Sequence, residues 1–391
     1  MSAKMGENQD IRKDIDYRLY NLLMRLDKGQ EAAGVEVEGK VKAEQSEQFN
    51  ARRELLEIEV LAKRDMELNK RSQMNYLESV SKIVHDEVFK RIQDNMEDMD
   101  KLCEQVLQID PEIAQVLELL SVRAVSIAKL EPLINAIPWM AADIFKLVNS
   151  PKHRKKDRLG KVIKVENLRM ALSFIGIDNL KILIPSMAFK RWIPKVTDPY
   201  PGFKHKIWEH TLATALSAQR IAQIAEVNEN QAYVLGMFHE VGKLAIAKMY
   251  FKFYDAVHRE ALMEAHKEQK RDEHEALTKI GPSTDFWFSL MWNYSLPLSK
   301  KVIEHLNMKR LFIASAMDEF AQNVPFNDMS PLARVLVQGN AYAKYRVLKS
   351  YKLINMDEAK DYLKSFKMPP GALGSLKTLD VRVLPLSFEE E

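Results

Sequence analysis

The chain carries a single cysteine, Cys103, in 391 residues. No intramolecular disulfide can form and no cysteine-based zinc site is available, which fits a reducing compartment. Glycine and proline are scarce for this length, at 13 and 15, and that argues against an all-β sandwich with its many tight turns. No uninterrupted apolar run approaches the roughly 18 residues of a membrane span, and the opening MSAKMGENQDIRKDID lacks the apolar core of a signal peptide. A cytosolic protein without a membrane partner is the expectation. Charge is also lacking in net terms: 58 basic side chains against 55 acidic ones leave +3, too little to argue by itself for nucleic acid or a lipid surface.

What is present is helical periodicity in a chain of ordinary globular composition, 46% hydrophobic and 29% charged. Ile11 to Leu26 reads as a short amphipathic helix, and the glycines and charges that follow predict a mobile linker near 28–48. Beyond about Asn50 the pattern strengthens. Met74, Leu77, Val80, Val84, Val88, Ile92, Met96, Met99, Cys103 and Val106 recur every three or four residues and fall on one face. Such a stripe suits an ordinary packed helix, or a surface for a partner. Asp110-Pro111 marks a break and a predicted domain boundary.

Downstream, IPWMAADIFKLVNS is followed by a basic run, Lys152 to Lys164, with Asp157 its only acid. It reads as a solvated connection, with phosphate contact as the sharper alternative. The periodicity then predicts helices over Asn167 to Ala188, Ile207 to Ala225, Asn230 to Tyr250, Tyr254 to Lys279, Phe286 to Leu306 and Ser330 to Lys349, with Pro297 dividing the fifth. His258, His266 and His274 lie eight residues apart on the fourth of these, about 12 Å of rise per interval and too far to share an ion. They read as surface histidines. The tail, MPPGALGSLKTLDVRVLPLSFEEE, looks extended, and DVRVLPLSF reads as one short strand or a surface wrap.

The stretch LGMFHEVGK sets His239 beside Glu240, with Gly242 and Lys243 just beyond, inside the predicted Asn230 to Tyr250 helix. Adjacent imidazole and carboxylate groups suit a divalent metal, and they equally suit a helix-end histidine with a solvated acid. The order of landmarks carries more information than the pair. IFKLVNS, ALSFIGIDNLKIL, WEHTLATALSAQRIA, YVLGMFHEVGKLAI, WNYSLPLSKKVIEHL and the helix around VQGNAYA follow one another from about Pro111 to Leu348. In that order they resemble the HDOD domain, the degenerate branch of the HD metal-dependent phosphohydrolase superfamily.

The resemblance implies an all-α HDOD domain over 111–348; outside it, periodicity predicts an N-terminal helical region over 1–110, and a helix end and extended tail follow over 349–391. The resemblance also implies a site. His210 matches the first metal-holding histidine of catalytic relatives, His239 and Glu240 match the His-Asp pair, and Asn340 matches a late aspartate. Lys243 matches a lysine found after the pair in the cyclic-dinucleotide phosphodiesterase branch, and His305 resembles a position where that branch carries paired histidines. Two of the four ligand positions therefore differ. Glu for Asp moves the carboxylate out by roughly 1.5 Å against ligand tolerances near 0.2 Å, and Asn for Asp removes a full charge from a site for a hard dication.

The resemblance thus implies a non-enzymatic bacterial signalling or regulatory output module. It would work through contacts with a signalling protein or by binding a small nucleotide, with no cofactor expected. The alternative is a metal-dependent phosphohydrolase in which His210, His239, Glu240 and Asn340 hold zinc, manganese or iron and Lys243 offsets phosphate charge.

Overall fold

The computed structural model describes residues 2–35, 57–122, 124–151 and 164–386. Helices and their connections make up all of it, and no strand occurs among the described residues. The N-terminal region supplies α1 (Ser2–Met24), α2 (Leu26–Ala32) and α3 (Glu57–Glu97), the last followed by a π-helical turn at Leu102–Leu107. Then come α4 (Glu112–Leu120), α5 (Ile127–Asn135), α6 (Pro138–Val148), α7 (Leu168–Ile175) and α8 (Ile177–Trp192). The centre holds α9 (Gly202–Ile224), α10 (Glu229–Phe238), α11 (Val241–Lys267), α12 (Arg271–Lys279) and α13 (Thr284–His305). Last are α14 (Ile313–Ala321), α15 (Pro331–Ser350), α16 (Met356–Lys364) and α17 (Ala372–Lys377).

The hub is α9. Every side chain from His210 to Ala218 is buried, because α10, α15, α1 and α17 all pack against it. Small residues permit this crowding. A Cβ on Gly236 of α10 would lie 2.6 Å from Ala215 Cα, and one on Gly339 of α15 would lie 2.7 Å from Ala218 N. The two glycines let their helices approach the backbone of α9 more closely than any other residue would.

Several expected boundaries shift. Residues 28–32 of the predicted linker belong to α2, where Gly29 is buried against Leu22; the linker's residues 36–48 lie outside the described residues. The predicted 230–250 helix breaks at His239 and Glu240, and α11 then runs unbroken past Tyr254 to Lys267. Pro297 does not divide α13, which passes through it. A proline deletes one backbone hydrogen bond, about 3 kcal/mol in an isolated helix, while Leu290, Met291, Ser295, Leu298, Val302 and Ile303 are buried on either side of it.

The α3 stripe is core from Val80 onward: Val80, Val84, Val88 and Ile92 are buried, with α3 lying on α11 and α12. That face is not free for a partner. Met74, by contrast, is exposed, as are Met66, Leu68, Tyr76 and Ile83. The tail is not extended throughout: Ala372–Lys377 forms α17, 380–386 forms no strand, and Val381 is tucked into the core.

The N-terminal helix is part of the same body. Lys206 of α9 donates its ammonium to the carbonyl of Leu22 at 2.5 Å, and burial lowers that lysine's pKa to about 8. Arg18 grips Glu358 and the carbonyl of Leu353, and Lys344 pairs with Asp16. These contacts tie α1 to both α9 and the C-terminal helices.

Candidate functional site

The break between α10 and α11 builds the site. His239 closes α10 and Glu240 (φ −109, ψ 13) leads into α11. This puts the two side chains at a junction facing α9, rather than on the flank of one continuous helix. His210 comes to them from α9. The His210, His239 and Glu240 ligand atoms lie within 4.8 Å of one another, and all three residues are buried.

Hydrogen bonding fixes the imidazole tautomers. His210 Nδ1 lies 2.9 Å from Glu240 Oε2; an ionised carboxylate only accepts, so Nδ1 carries the proton. His239 Nδ1 lies 2.7 Å from the Gly236 carbonyl and donates to it. With Nδ1 donating in each ring, the neutral imidazole would carry its lone pair on Nε2, and both Nε2 atoms are buried with no partner among the described residues. The His239 Nε2 to Glu240 Oε1 separation is 3.8 Å, beyond hydrogen-bond range. Two open imidazole nitrogens beside a carboxylate form a group that could hold a metal ion.

The carboxylate is already engaged on both oxygens. Lys243, one turn into α11, donates its ammonium to Glu240 Oε1. Burial would raise the Glu240 pKa, but His210 and Lys243 overcome it and hold the carboxyl well below its usual range. Burial would likewise lower the Lys243 pKa, and Glu240 reverses that, so Lys243 titrates above its ordinary value. The pair is an internal salt link, buried on both sides.

Sequence reading missed the lid and the floor of this cluster. The ring of Tyr20, from α1, lies 4.1 Å from the Lys243 ammonium, a cation–π contact. Its hydroxyl lies 3.3 Å from Ser295 Oγ of α13. Below, the Gly242 N–H donates to Ser299 Oγ at 2.8 Å. No motif flags Tyr20, because its role depends on where a helix from outside the domain docks.

Asn340 lies on α15, buried, with Oδ1 lacking a partner among the described residues. Its neighbour Gly339 abuts Ala218, eight residues beyond His210 on α9. His305 stands apart from the cluster, part-exposed and 3.4 Å from Asp100. Of the three spaced histidines, His266 and His274 have ring centroids 6.0 Å apart. The chain turns between α11 and α12 at Gln269 (φ 59), so the rise of a continuous helix does not separate them. The basic run Lys152 to Lys164 lies outside the described residues except for Lys164.

Two histidines and an acid thus converge at an interhelical break in an all-helical body. The HDOD domain model matches residues 107–307, just over half of the 391 residues, and the chain belongs to the HDOD family. That membership places the chain in the HD superfamily. Among solved structures, the chain is similar to a protein of Shewanella amazonensis SB2B described as a candidate phosphohydrolase, with 16% identity, a TM-score of 0.44, and coverage of 72% of this chain and 94% of that one. No curated protein matches the chain.

The site predicts a pH response. Burial presses the His239 pKa down to about 3, against the pull of Glu240. In the unfolded chain an imidazole titrates near 6.5, so below about that pH the unfolded state takes up a proton that the folded state refuses. Stability therefore falls as pH drops from about 6.5 toward 3, with a slope of at most about 1.4 kcal/mol per pH unit from this residue. Glu240, with its depressed pKa, adds a loss that begins only below about 4.3, where unfolded carboxylates protonate. Urea midpoints measured from pH 7 to pH 5 should decline in the native chain and decline less in His239→Asn; equal slopes would refute the assignment.

Proposed function

We propose that this chain is a non-enzymatic regulatory module of bacterial signal transduction, acting in the cytoplasm through contacts with another protein or by binding a small nucleotide. In this reading the His210–Glu240–Lys243 cluster is a structural pin. The observation that supports it is the Lys243 ammonium on Glu240 Oε1 while the His210 N–H occupies Oε2. The carboxylate's charge is met from within the chain, and a dication bound to the same group would sit beside a buried cation. The substitutions at Glu240 and Asn340 weaken the ligand set in the same direction. The exposed apolar side chains of α3, Met66, Leu68, Met74, Tyr76 and Ile83, favour protein contact. No single helix among the described residues is long and apolar enough to cross a membrane.

The second reading, a metal-dependent phosphohydrolase acting on a nucleotide or cyclic dinucleotide, draws on the two unpartnered Nε2 atoms. There His210, His239 and Glu240 would hold zinc, manganese or iron, which would activate water, and Lys243 would leave Glu240 to meet phosphate charge.

Metal analysis separates the two. Chain purified with manganese, iron or zinc supplied is expected to hold well under one equivalent and to turn over no member of a phosphoester panel. One equivalent of metal together with turnover that His210→Ala abolishes would establish the second reading instead.

A further inference from the structure

A cleft of about 650 Å³ opens between α9, α15 and the C-terminal segment, lined by residues that include Glu209, Tyr345, Arg346, Lys349, Lys377 and Arg382. No member of the buried cluster lines it, and its volume is within the range of about 300–1,000 Å³ typical of small-molecule sites. Four cations face one acid there, in a chain that is elsewhere nearly charge-balanced.

The cations are unequal in partners. Arg382 is paired with Asp380, and Glu209 accepts from the Tyr351 hydroxyl at 3.3 Å. Asp380 also lies in the field of Arg346, while Lys349 and Lys377 have no salt-bridge partner among the described residues. Arg346 donates to the Tyr342 hydroxyl at 3.3 Å, and Lys349 to the Tyr345 hydroxyl at 3.1 Å. Tyr342 is fixed in turn, since its hydroxyl donates to the Leu376 carbonyl at 3.0 Å. Two cations on one face of α15 are thus held against tyrosine oxygens, with a third, Lys377, on the opposite wall.

Four cations against Glu209 and the neighbouring Asp380 leave the cleft net positive, and an anion between the cations offsets their mutual repulsion. The apolar surface left open in the lining is the part-buried Tyr345 ring and the exposed Met356, with Ala213, Val347 and Val381 buried behind them; a ring beside a thioether suits the flat apolar body of a base. We propose that this cleft binds a purine nucleotide, with Arg346, Lys349 and Lys377 holding its phosphates and the base lying toward Tyr345 and Met356. The site is independent of whether the His210 cluster is catalytic.

Calorimetric titration of the full chain with ADP, GDP, adenosine and inorganic phosphate tests it. At low salt ADP or GDP is expected to bind, with adenosine and phosphate each at least about tenfold weaker, and affinity should fall steeply as salt is raised. Lys349→Glu with Lys377→Glu, both exposed positions, should weaken the nucleotide at least about tenfold, whereas Lys267→Glu on α11 should leave it unchanged. Glu240→Gln with Lys243→Met should also leave it unchanged. Absence of binding by both nucleotides, or equal binding by the double charge reversal, overturns the proposal. Loss of binding in the Glu240/Lys243 variant with retention in the charge reversal overturns it too, by moving the ligand to the buried cluster.

Discussion

Gly242→Ala should cost this chain more than about 3 kcal/mol, a large fraction of the roughly 5–15 kcal/mol that holds a typical domain folded. A Cβ at position 242 would lie 2.0 Å from the Ser295 carbonyl oxygen and 2.6 Å from Ser299 N. Both are backbone atoms of α13, so no rotamer change relieves the overlap, and α11 and α13 would have to separate along a buried seam. Intrinsic propensity runs the other way: in a helix alanine is favoured over glycine by about 1 kcal/mol. A large loss therefore reports on the interhelical contact alone. Gly374, in α17 with nothing within 4 Å of a built Cβ, is the control. Gly374→Ala should be neutral or slightly stabilising. Urea midpoints of the two variants decide it, and a Gly242→Ala midpoint within error of the native chain would sink the argument.

The second large effect concerns the salt link. Glu240→Ala should destabilise by about 3–5 kcal/mol, because it strands the Lys243 ammonium in an interior that exposes only 4% of its side chain. The cost is that of an unpaired buried charge rather than the worth of the pair, so removing both charges should recover most of it. Glu240→Gln with Lys243→Met keeps an acceptor for the His210 N–H and fills the lysine's volume. Its urea midpoint should lie well above that of Glu240→Ala and near that of the native chain. A double variant as unstable as Glu240→Ala would show that Lys243 is not the group Glu240 serves.

This variant also separates stability from function. If the cluster is a pin, the compensated double variant should retain partner binding. If Glu240 works chemically, function would vanish from a chain that still folds.

The helical class and the order of the domain's landmarks were legible in the sequence. Periodicity of three to four residues is set by local geometry, and it survives in any packing that buries one face. The α3 stripe shows this: Val80, Val84, Val88 and Ile92 are buried as their spacing predicts. The same rule fails on α9. A helix buried on all sides from His210 to Ala218 carries no polar face from which to read the direction of His210, and only the resemblance marked that residue.

The break at His239 and Glu240 was illegible for a related reason. Apolar spacing continues across it, and the Gly242 N–H in the first turn of α11 is taken up by Ser299, which lies 57 positions away. Sequence alone determined that His210, the His239–Glu240 pair and the following Lys243 are present, since side-chain chemistry is written residue by residue. Tertiary structure alone decided that Lys243 turns back onto Glu240 under the ring of Tyr20. Whether a buried carboxylate spends its charge on a lysine or on a metal depends on which groups the fold brings within about 3 Å of it, and no local pattern encodes that distance.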